Sequence, residues 1–414
     1  MEMNIMILVY KQFVEFMYNI VMAFRSMFWK RSKDCILFGA WFGTKYGDNP
    51  RYLFQYLSDH KEKLGLKHVI WVSRDKNIVD TIRSIGYEAY LMTSKESIYY
   101  HKHCKYHIIC ESCNNLFTND GDIMGQYSYG AIKINLWHGS GALKNVDYSI
   151  ITNNKDSSVF MKFKMFLHDN FWFYRYFAEE NGGWGNCYYL SSSAAETEQL
   201  KCFFRLKNRL FIESNLPRNC SLTKVLCNEK AVLEDIRKYK HIIFYLPTFR
   251  GNDSTYNYQK VYGSISQELK DNTLWLQKAH SASDQHASIM DQKLGFIDLD
   301  PSFDINILLP FTSMIITDYS SVAVDALYYN KPIIYYIPDI EEYKKSDRGF
   351  CCDINERMCG PKVYTIDGLS RMIKEILKNP DSVITDKYIR EKEKWWEHYC
   401  DIDQIWIDIQ EKTQ

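Results

Sequence analysis

Residues 135–144 form the segment best suited to chemistry in this chain of 414 residues. The apolar run 131–137 predicts a buried strand that ends at His138, with Gly139 next and Lys144 a few residues later. Ligands of open α/β sheets bind at the carboxyl ends of strands, and the imidazole of histidine transfers protons near neutral pH. We therefore predict that His138 acts as a general base, while an ordinary turn is the alternative for a His-Gly pair.

A second group of residues is suited to binding phosphate. The predicted strand 314–317 runs into Ser320 and Ser321 and then into a helix that carries Asp325. Serine hydroxyls and the amides of a helix N-terminus bind phosphate oxygens, although serine also caps helices that bind nothing. Two other predicted strands of this half end with polar side chains: Thr248, Arg250 and His280. Because these strands end at one edge, we predict a diphosphate-binding site there.

Short apolar runs that alternate with helical patterns must position these residues. The runs lie at 35–38, 68–72, 106–110 and 132–137, and again at 241–245, 275–278, 295–299, 314–317 and 332–336. Strands that alternate with helices form parallel β-α-β units. The sequence therefore predicts an α/β fold of two Rossmann-like domains with a cleft between them. We expect an N-terminal segment and a C-terminal helical segment around two domains, with bounds 1–33, 34–215, 216–384 and 385–414.

Two segments carry an unusual number of aromatic residues. Residues 5–24 place apolar side chains at helical spacing, with Lys11, Gln12, Glu15 and Asn19 on the opposite side and basic residues following. We expect an amphipathic helix on an anionic membrane surface; a helix packed on the protein's own core and a membrane-spanning helix are the alternatives. Residues 153–187 mix aromatic and basic side chains, which indicates either an interfacial excursion or ordinary core helices.

The composition narrows the function classes. A formal net charge of zero argues against general nucleic-acid binding, which needs a basic excess. Twelve scattered cysteines indicate reduced thiols in a cytosolic protein, because their spacing does not match a zinc site. The Asp298-Leu299-Asp300 run has the spacing of a metal motif, but its surroundings favour a turn, and we expect no metal site.

The order of the motifs resembles a known family. The matching residues are Gly47-Asp48-Asn49-Pro50, Leu136-Trp137-His138-Gly139, Lys144, Pro217-Arg218-Asn219, 245–250, His280, 316–321, Asp325, Arg348-Gly349-Phe350 and Gly360-Pro361. This order is similar to that of the CDP-glycerol glycerophosphotransferases of teichoic acid and capsule synthesis, over residues 35–380. Ser140-Gly141-Ala142 departs from the usual Thr-Pro-Leu of that family.

The resemblance implies a GT-B-like fold and the transfer of glycerol phosphate from CDP-glycerol to an acceptor hydroxyl, with release of CMP. It implies that His138 is the base and that the other site residues fall into two sets. The acceptor set is Asp48, Asn49, Gly139 and Lys144, and the donor set is Arg218, Thr248, Arg250, His280, Ser320, Ser321 and Asp325. It further implies a lipid-linked acceptor, the cytoplasmic face of the membrane and no cofactor besides the donor substrate. The alternatives are a CDP-ribitol donor, a nucleotide-sugar glycosyltransferase and a non-catalytic polymer-binding protein.

Overall fold

The computed structural model describes residues 2–113, 121–144, 162, 166–167, 170–171, 187–204, 210–248, 262–263, 266–278, 290–291, 296–300, 302–346 and 349–414. The chain divides into two compact units. The first unit comprises Met1–His138, Asp147–Lys224 and His398–Gln414, and the second comprises Gly139–Val146 and Val225–Glu397. One of the boundaries between the units therefore falls inside the His-Gly motif, between His138 and Gly139.

A seven-stranded parallel sheet forms the centre of the first unit. Its strands are β1 Ser32–Phe38, β2 His68–Ser73, β3 Glu88–Leu91, β4 Cys104–Ile109, β5 Ile132–Asn135, β6 Cys187–Ser191 and β7 Phe211–Glu213. Their spatial order is β3-β2-β1-β4-β5-β6-β7, and every pairing is parallel. The order reverses between β1 and β4, which is where ligands bind in doubly wound sheets.

The second unit has its own seven-stranded sheet. Its strands are β8 His241–Leu246, β9 Thr273–Gln277, β10 Met290–Asp291, β11 Phe296–Asp298, β12 Met314–Thr317, β13 Ile333–Tyr336 and β14 Lys362–Val363. Their spatial order is β10-β11-β9-β8-β12-β13-β14, and all pairs are parallel except the edge pair β10 and β11. Since β8 and β12 are central neighbours, the residues that follow them meet at one edge.

Helices connect the strands as the alternating pattern requires. In chain order, the α-helices with described bounds are α1 Glu2–Ser26, α2 Asp48–Asp59, α3 Lys76–Ser84, α4 Lys95–His103, α5 Ala194–Phe204, α6 Cys227–Ile236, α7 Gln267–Lys270, α8 Val322–Tyr328, α9 Ile340–Ser346, α10 Ile354–Arg357, α11 Ile366–Lys378, α12 Asp386–Trp395 and α13 Ile402–Lys412. Helix α12 belongs to the second unit and α13 to the first.

Each unit buries an apolar core of its own. In the first unit the rings of Phe38, Phe54 and Trp71 pack edge-to-face and stacked, and all three are fully buried. In the second unit the cluster around Ile243 and Ile316 lies between the sheet and α11. Full burial of side chains of this size stabilises a fold by roughly 1.5–3 kcal/mol each, which keeps the strand ends in place.

The predicted α/β class and the predicted strands are confirmed. Each of the nine predicted apolar runs contains or overlaps an observed strand, whereas the short strands β3, β6, β7, β10 and β14 were not predicted. One boundary was wrong: β5 ends at Asn135, and Trp137 leaves the strand with a left-handed φ of 54°. The proposed excursion over 153–187 lies almost entirely outside the described residues, so it stays a prediction.

Helix α1 presents its apolar side outward. Ile7, Tyr10, Phe13, Met17, Val21 and Phe24 are all exposed, whereas Glu15 and Asn19 are buried with Met22. The chain after α1 is held by Arg31, whose guanidinium donates to the carbonyl oxygens of His101, Cys104, Tyr127 and Tyr129. Among the described residues, no helix combines the length and hydropathy needed to cross a membrane.

The expectation that the cysteines are all reduced was wrong for one pair. Cys35 and Cys104 lie on the adjacent strands β1 and β4 and form a disulfide. Their Cα atoms are 4.4 Å apart, which is within bonding range, and both side chains are buried. No local pattern indicates this pairing, because the two residues are 69 positions apart.

Candidate active site

His138 lies just beyond the carboxyl end of β5, beside the point where the strand order reverses. Leu136 still donates to the Ile109 carbonyl of β4, and the left-handed turn at Trp137 then aims the imidazole along this edge. The Trp137 ring lies 4.1 Å from the imidazole centroid, and the Trp41 ring lies 5.1 Å from it. The His138 side chain is 25% exposed, so the imidazole is held by aromatic neighbours and still reaches solvent.

A buried polar network fixes the backbone on which His138 sits. The Asn49 side-chain amide donates to the carbonyl oxygens of Leu136 at 3.1 Å and Trp137 at 2.9 Å. Arg218 donates to the carbonyl oxygen of His138 at 2.7 Å and to the Asp48 carboxylate at 3.0 Å. The structure thus brings four predicted residues together, and it places Arg218, which was predicted on the donor side, in the first unit with His138.

The hydrogen bond of Nδ1 with the Cys110 carbonyl determines the tautomer of His138. Nδ1 lies 3.1 Å from the carbonyl oxygen of Cys110 and 3.1 Å from a carboxylate oxygen of Glu111. A carbonyl oxygen only accepts, so Nδ1 carries the hydrogen and donates it. The lone pair of the neutral imidazole therefore resides on Nε2, which is the arrangement that a general base needs.

Two carboxyl groups at this edge, the buried Asp122 and the partly buried Glu111, were missed by sequence reasoning. Asp122 accepts from the amides of Phe42, Cys110 and Glu111, and thereby ties the ends of β1 and β4 together. Glu111 is the second residue after β4, and its carboxylate contacts His138. Glu111 follows an apolar run as a single acidic residue, a pattern too common to mark it, and Asp122 stands in a polar stretch of the sequence that also holds Asp120.

Burial sets the electrostatics of this group. Desolvation and then the Asp48 charge raise the pKa of Glu111 to about 8, and desolvation and then the Glu111 charge raise the pKa of Asp122 to about 7. Desolvation also lowers the pKa of His138, against the opposing charge of Asp48. His138 is therefore neutral at physiological pH, as a base must be.

The backbone at this edge adopts unfavourable conformations. Four residues other than glycine have left-handed φ angles here: Trp41 at 48°, Phe42 at 57°, Asp48 at 59° and Trp137 at 54°. Each such conformation costs of order 1 kcal/mol or more and persists only where surrounding contacts enforce it. The hydrogen bonds of Asp122 to Phe42, and of Asn49 to Trp137, supply that enforcement.

In the second unit, Asp318 organises the ends of β8 and β12. Its carboxylate accepts from the Thr248 amide at 2.9 Å and from the Thr248 hydroxyl at 2.6 Å. It also accepts from the amide of Tyr319 at 2.5 Å. Asp318 was part of the quoted motif but was not predicted as a site residue, and its contacts show that it positions Thr248.

The paired serines follow at the same edge. Ser321 immediately precedes α8, and its side chain makes no capping hydrogen bond. Gly139 lies against it, because a Cβ atom on Gly139 would come within 2.8 Å of the Ser321 hydroxyl. Asp325 lies in the first turn of α8 and is buried. The structure thus places Gly139, predicted for the acceptor, beside Ser321, predicted for the donor.

The segment after His138 is anchored in the second unit. The Gly141 carbonyl accepts from Arg357 at 2.7 Å, and Leu143 accepts from the Cys351 amide at 3.0 Å. Lys144 pairs with Phe350 through an antiparallel bridge. Gly141 has a left-handed φ of 60°, and the space where a side chain would begin is already occupied.

Two predicted donor residues, Arg250 and His280, lie outside the described residues. Asp300 accepts from the amide of Ser302 at 2.7 Å, as the predicted turn requires. Across the described part of the chain, His, Cys, Asp and Glu side chains nowhere gather in a group of three or more that would hold a metal ion.

The sequence matches the profile of the CDP-glycerol:poly(glycerophosphate) glycerophosphotransferase family over residues 21–401. This range includes all of the second unit, most of the first unit and every predicted site residue. The chain belongs to this family.

Relatives from the same family match most of the chain. A teichoic acid poly(glycerol phosphate) polymerase of Bacillus spizizenii is 27% identical over 348 residues, which cover 81% of this chain and 82% of the relative. A teichoic acid glycerol-phosphate transferase of Staphylococcus aureus is 22% identical and covers 90% of both chains. Among solved structures, the wall teichoic acid polymerase TagF superposes with a TM-score of 0.65 at 20% identity, over 99% of this chain and 96% of that one. The structural likeness shows a shared fold.

Proposed function

We propose that this member of the glycerophosphotransferase family transfers glycerol phosphate from CDP-glycerol to a hydroxyl of a lipid-linked teichoic acid or capsule acceptor and releases CMP. Family membership over residues 21–401 supports the reaction class. The observation that carries the site assignment is the Nδ1 contact of His138 with the Cys110 carbonyl. That contact leaves Nε2 as a base at the edge where doubly wound sheets bind ligands.

The chemistry assigned to His138 is a single proton transfer during phosphoryl transfer. The acceptor oxygen attacks the phosphorus that bears glycerol, its proton passes to Nε2 of His138, and the bond from that phosphorus to the oxygen of CMP breaks. General-base assistance of this kind contributes about 10²–10⁴-fold in rate. The network of Asn49, Asp48 and Arg218 holds the imidazole in position to take the proton of the acceptor hydroxyl.

The donor is assigned to the second unit. Ser320 and Ser321 present hydroxyl groups after β12, and hydroxyl donors suit the oxygens of a diphosphate. Thr248 follows β8 and donates its hydroxyl hydrogen to Asp318; it is assigned to the same site on the motif resemblance. Arg250 and His280 are assigned to the same diphosphate on the motif resemblance. Lys144 and the loop around Gly139 are assigned to the acceptor.

A direct assay tests this reaction. The purified protein is incubated with CDP-glycerol and a glycerol phosphate-primed acceptor, and CMP and polymer-bound glycerol phosphate are measured; CDP-ribitol and a UDP-sugar are the competing donors. We expect CMP release with CDP-glycerol. Turnover with CDP-ribitol alone would change the donor, and release of a nucleoside diphosphate from the UDP-sugar would favour a glycosyltransferase.

We also propose that α1 lies on an anionic membrane surface, at the cytoplasmic face, where the lipid-linked acceptor would be. The helix exposes its apolar side and buries Glu15 and Asn19, which is the reverse of a helix packed on its own core. The exposed basic residues Arg25, Lys30 and Lys33 lie at its end, where they would meet anionic headgroups.

Vesicle binding tests the membrane surface. The double change Phe13→Glu and Phe24→Glu should strongly reduce binding to vesicles that contain phosphatidylglycerol, because it charges the exposed side of α1. Phe311→Glu, which changes an equally exposed ring in the second unit, is the matched control and should bind like the wild type. Unchanged binding of the double variant would contradict the proposal.

A further inference from the structure

Glu111 contacts the base candidate but has no role in the proposed reaction so far. Its carboxylate oxygen lies 3.1 Å from Nδ1 of His138, and its side chain is 15% exposed. Tautomer selection does not need it, because the Cys110 carbonyl already requires a hydrogen on Nδ1. A carboxylate oxygen this close to the same nitrogen must therefore have another consequence.

The backbone of Glu111 is fixed on both sides. Its amide donates to Asp122 at 2.8 Å, and its carbonyl oxygen accepts from the Asn135 side chain at 2.9 Å. These contacts join the ends of the neighbouring strands β4 and β5. The carboxylate is thus delivered to His138 by rigid backbone and not by a mobile loop.

We propose that Glu111 is a positioning residue that stabilises the imidazolium of His138 as it forms. The inference rests on the proposed function, because it assigns a second group to the same base. When Nε2 takes the proton of the acceptor hydroxyl, Nδ1 keeps its own hydrogen and the ring becomes positively charged. The ionised carboxylate 3.1 Å away then gains a counter-charge that it lacked before, and no further bond forms or breaks.

This interaction is stronger in the transition state than in the resting site. Burial raises the pKa of Glu111 to about 8, which shows that an unpartnered carboxylate is unfavourable there. The imidazolium removes that penalty only while the proton resides on His138. Interactions that strengthen on the way to the transition state raise kcat, whereas interactions of equal strength throughout change only KM.

The change Glu111→Gln tests the proposal, since it keeps the shape of the side chain and removes its charge. We expect kcat for CMP release from CDP-glycerol to fall about 10–100-fold, with the KM for CDP-glycerol within about twofold of the wild type. The loss should be smaller than that of a variant without His138, because the Cys110 carbonyl still holds the tautomer.

The pH profile separates this role from a merely structural one. A base must be deprotonated and Glu111 must be ionised, so wild-type kcat/KM should rise with pH as Glu111 ionises near pH 8. In Glu111→Gln the rise should move to lower pH, because only the lowered pKa of His138 remains. The other groups that act on this pair are unchanged in the variant: Lys45, Asp48, Cys110, Asp122 and Arg218.

A second pair in the same sheet provides a matched control. The Nδ1 atom of His68 on β2 lies 3.1 Å from a Glu88 carboxylate oxygen on β3, the same separation as in the His138 pair. This pair is more exposed and is remote from the reacting edge of the strands. Glu88→Gln should therefore leave kcat, KM and the pH profile unchanged.

Nuclear magnetic resonance of ¹⁵N-labelled histidine measures the interaction without any substrate. The His138 signals, assigned by their loss in His138→Asn, should show Nδ1 protonated, and the pKa of His138 should be lower in Glu111→Gln than in the wild type. An unchanged His138 pKa would overturn the role of Glu111 even if the protein had another activity. If the His138 pKa differs between the wild type and Glu111→Gln but the wild type releases no CMP, only the proposed function is overturned. A fall in kcat with an unmoved pH profile would assign Glu111 a structural role alone.

Discussion

The carboxyl edges of the two sheets carry different kinds of polar groups. At the edge of the first sheet, His138 lies among buried ionisable side chains, namely Asp48, Glu111, Asp122 and Arg218. At the edge of the second sheet, Asp318 organises the hydroxyl group of Thr248 and the backbone amides of Thr248 and Tyr319. A group that exchanges a proton needs neighbours that tune its charge, whereas a group that holds a phosphate needs fixed donors.

The two edges also differ in which residues adopt left-handed backbone conformations. The first edge holds four non-glycine residues at left-handed φ angles, and each is tied by the network around His138 or adjoins a residue that is. At the second edge, the left-handed residue in the segment after His138 is Gly141, and glycine adopts this conformation without a steric penalty. Strain enforced on tryptophan and aspartate marks the edge at which geometry matters most to the chemistry.

The largest expected effect separates the two edges by function. His138→Ala should reduce CMP release from CDP-glycerol by about 10³-fold, because the base is lost, while CDP-glycerol binding by calorimetry stays close to the wild type. Turnover like that of the wild type would refute the base assignment. Loss of donor binding would show that the first edge also holds the donor.

The next largest effect concerns the segment after His138, at the point where Gly141 packs in the second unit. Gly141→Ala should lower the free energy of unfolding by about 1–3 kcal/mol, since its Cβ would lie 2.8 Å from Val324 and 2.9 Å from Arg357 at a left-handed φ. Gly65→Ala is the control, because Gly65 also has a left-handed φ but nothing lies within 4 Å of its Cβ position. Urea unfolding should show the larger loss for Gly141→Ala; equal losses would mean that the close contacts relax freely.

The buried carboxyls should make stability depend on pH. A carboxyl group whose folded pKa is raised binds a proton more readily in the folded chain, so stability falls as pH rises from the unfolded pKa to the folded one. With Glu111 near 8 and Asp122 near 7, the loss between pH 7 and 8.5 should be about 1–2 kcal/mol. The neighbouring His101 and His107, whose pKa values are lowered, oppose this trend only at lower pH. Thermal unfolding of wild type and Glu111→Gln measures the effect, and an equally steep decline in the variant would contradict it.

The smallest effect belongs to the second edge. Ser320→Ala and Ser321→Ala should each raise the KM for CDP-glycerol about five- to tenfold, or about 1 kcal/mol, with little change in kcat. Each loses one donor to the diphosphate, and neither touches the base. A fall in kcat without a change in KM would make the second edge part of the proton-transfer chemistry and would remove the contrast.

The residues that the sequence could reveal are those whose local pattern carries the signal. Apolar runs followed by glycine or hydroxyl residues predicted the α/β class, the strands that end at the site, and His138, Thr248, Ser320 and Ser321. The short edge strands β3, β7, β10 and β14 have too few apolar residues to be recognised. Glu111 and Asp122 carry no such signal, since an isolated acidic residue after a strand is common and Asp122 stands in a polar stretch of the sequence.

What the sequence by itself determined is the set of strand ends and the chemical types that follow them, because hydrophobic periodicity and turn residues act locally. Only the tertiary structure decided which groups share a site. Arg218 lies 80 positions from His138 and Glu111 lies 27 positions before it, yet the parallel order of β4 and β5 and the turn before α2 bring all three together. Long-range pairing also turned Asp48 and Asn49 inward to hold the loop of His138, a burial that no local pattern encodes.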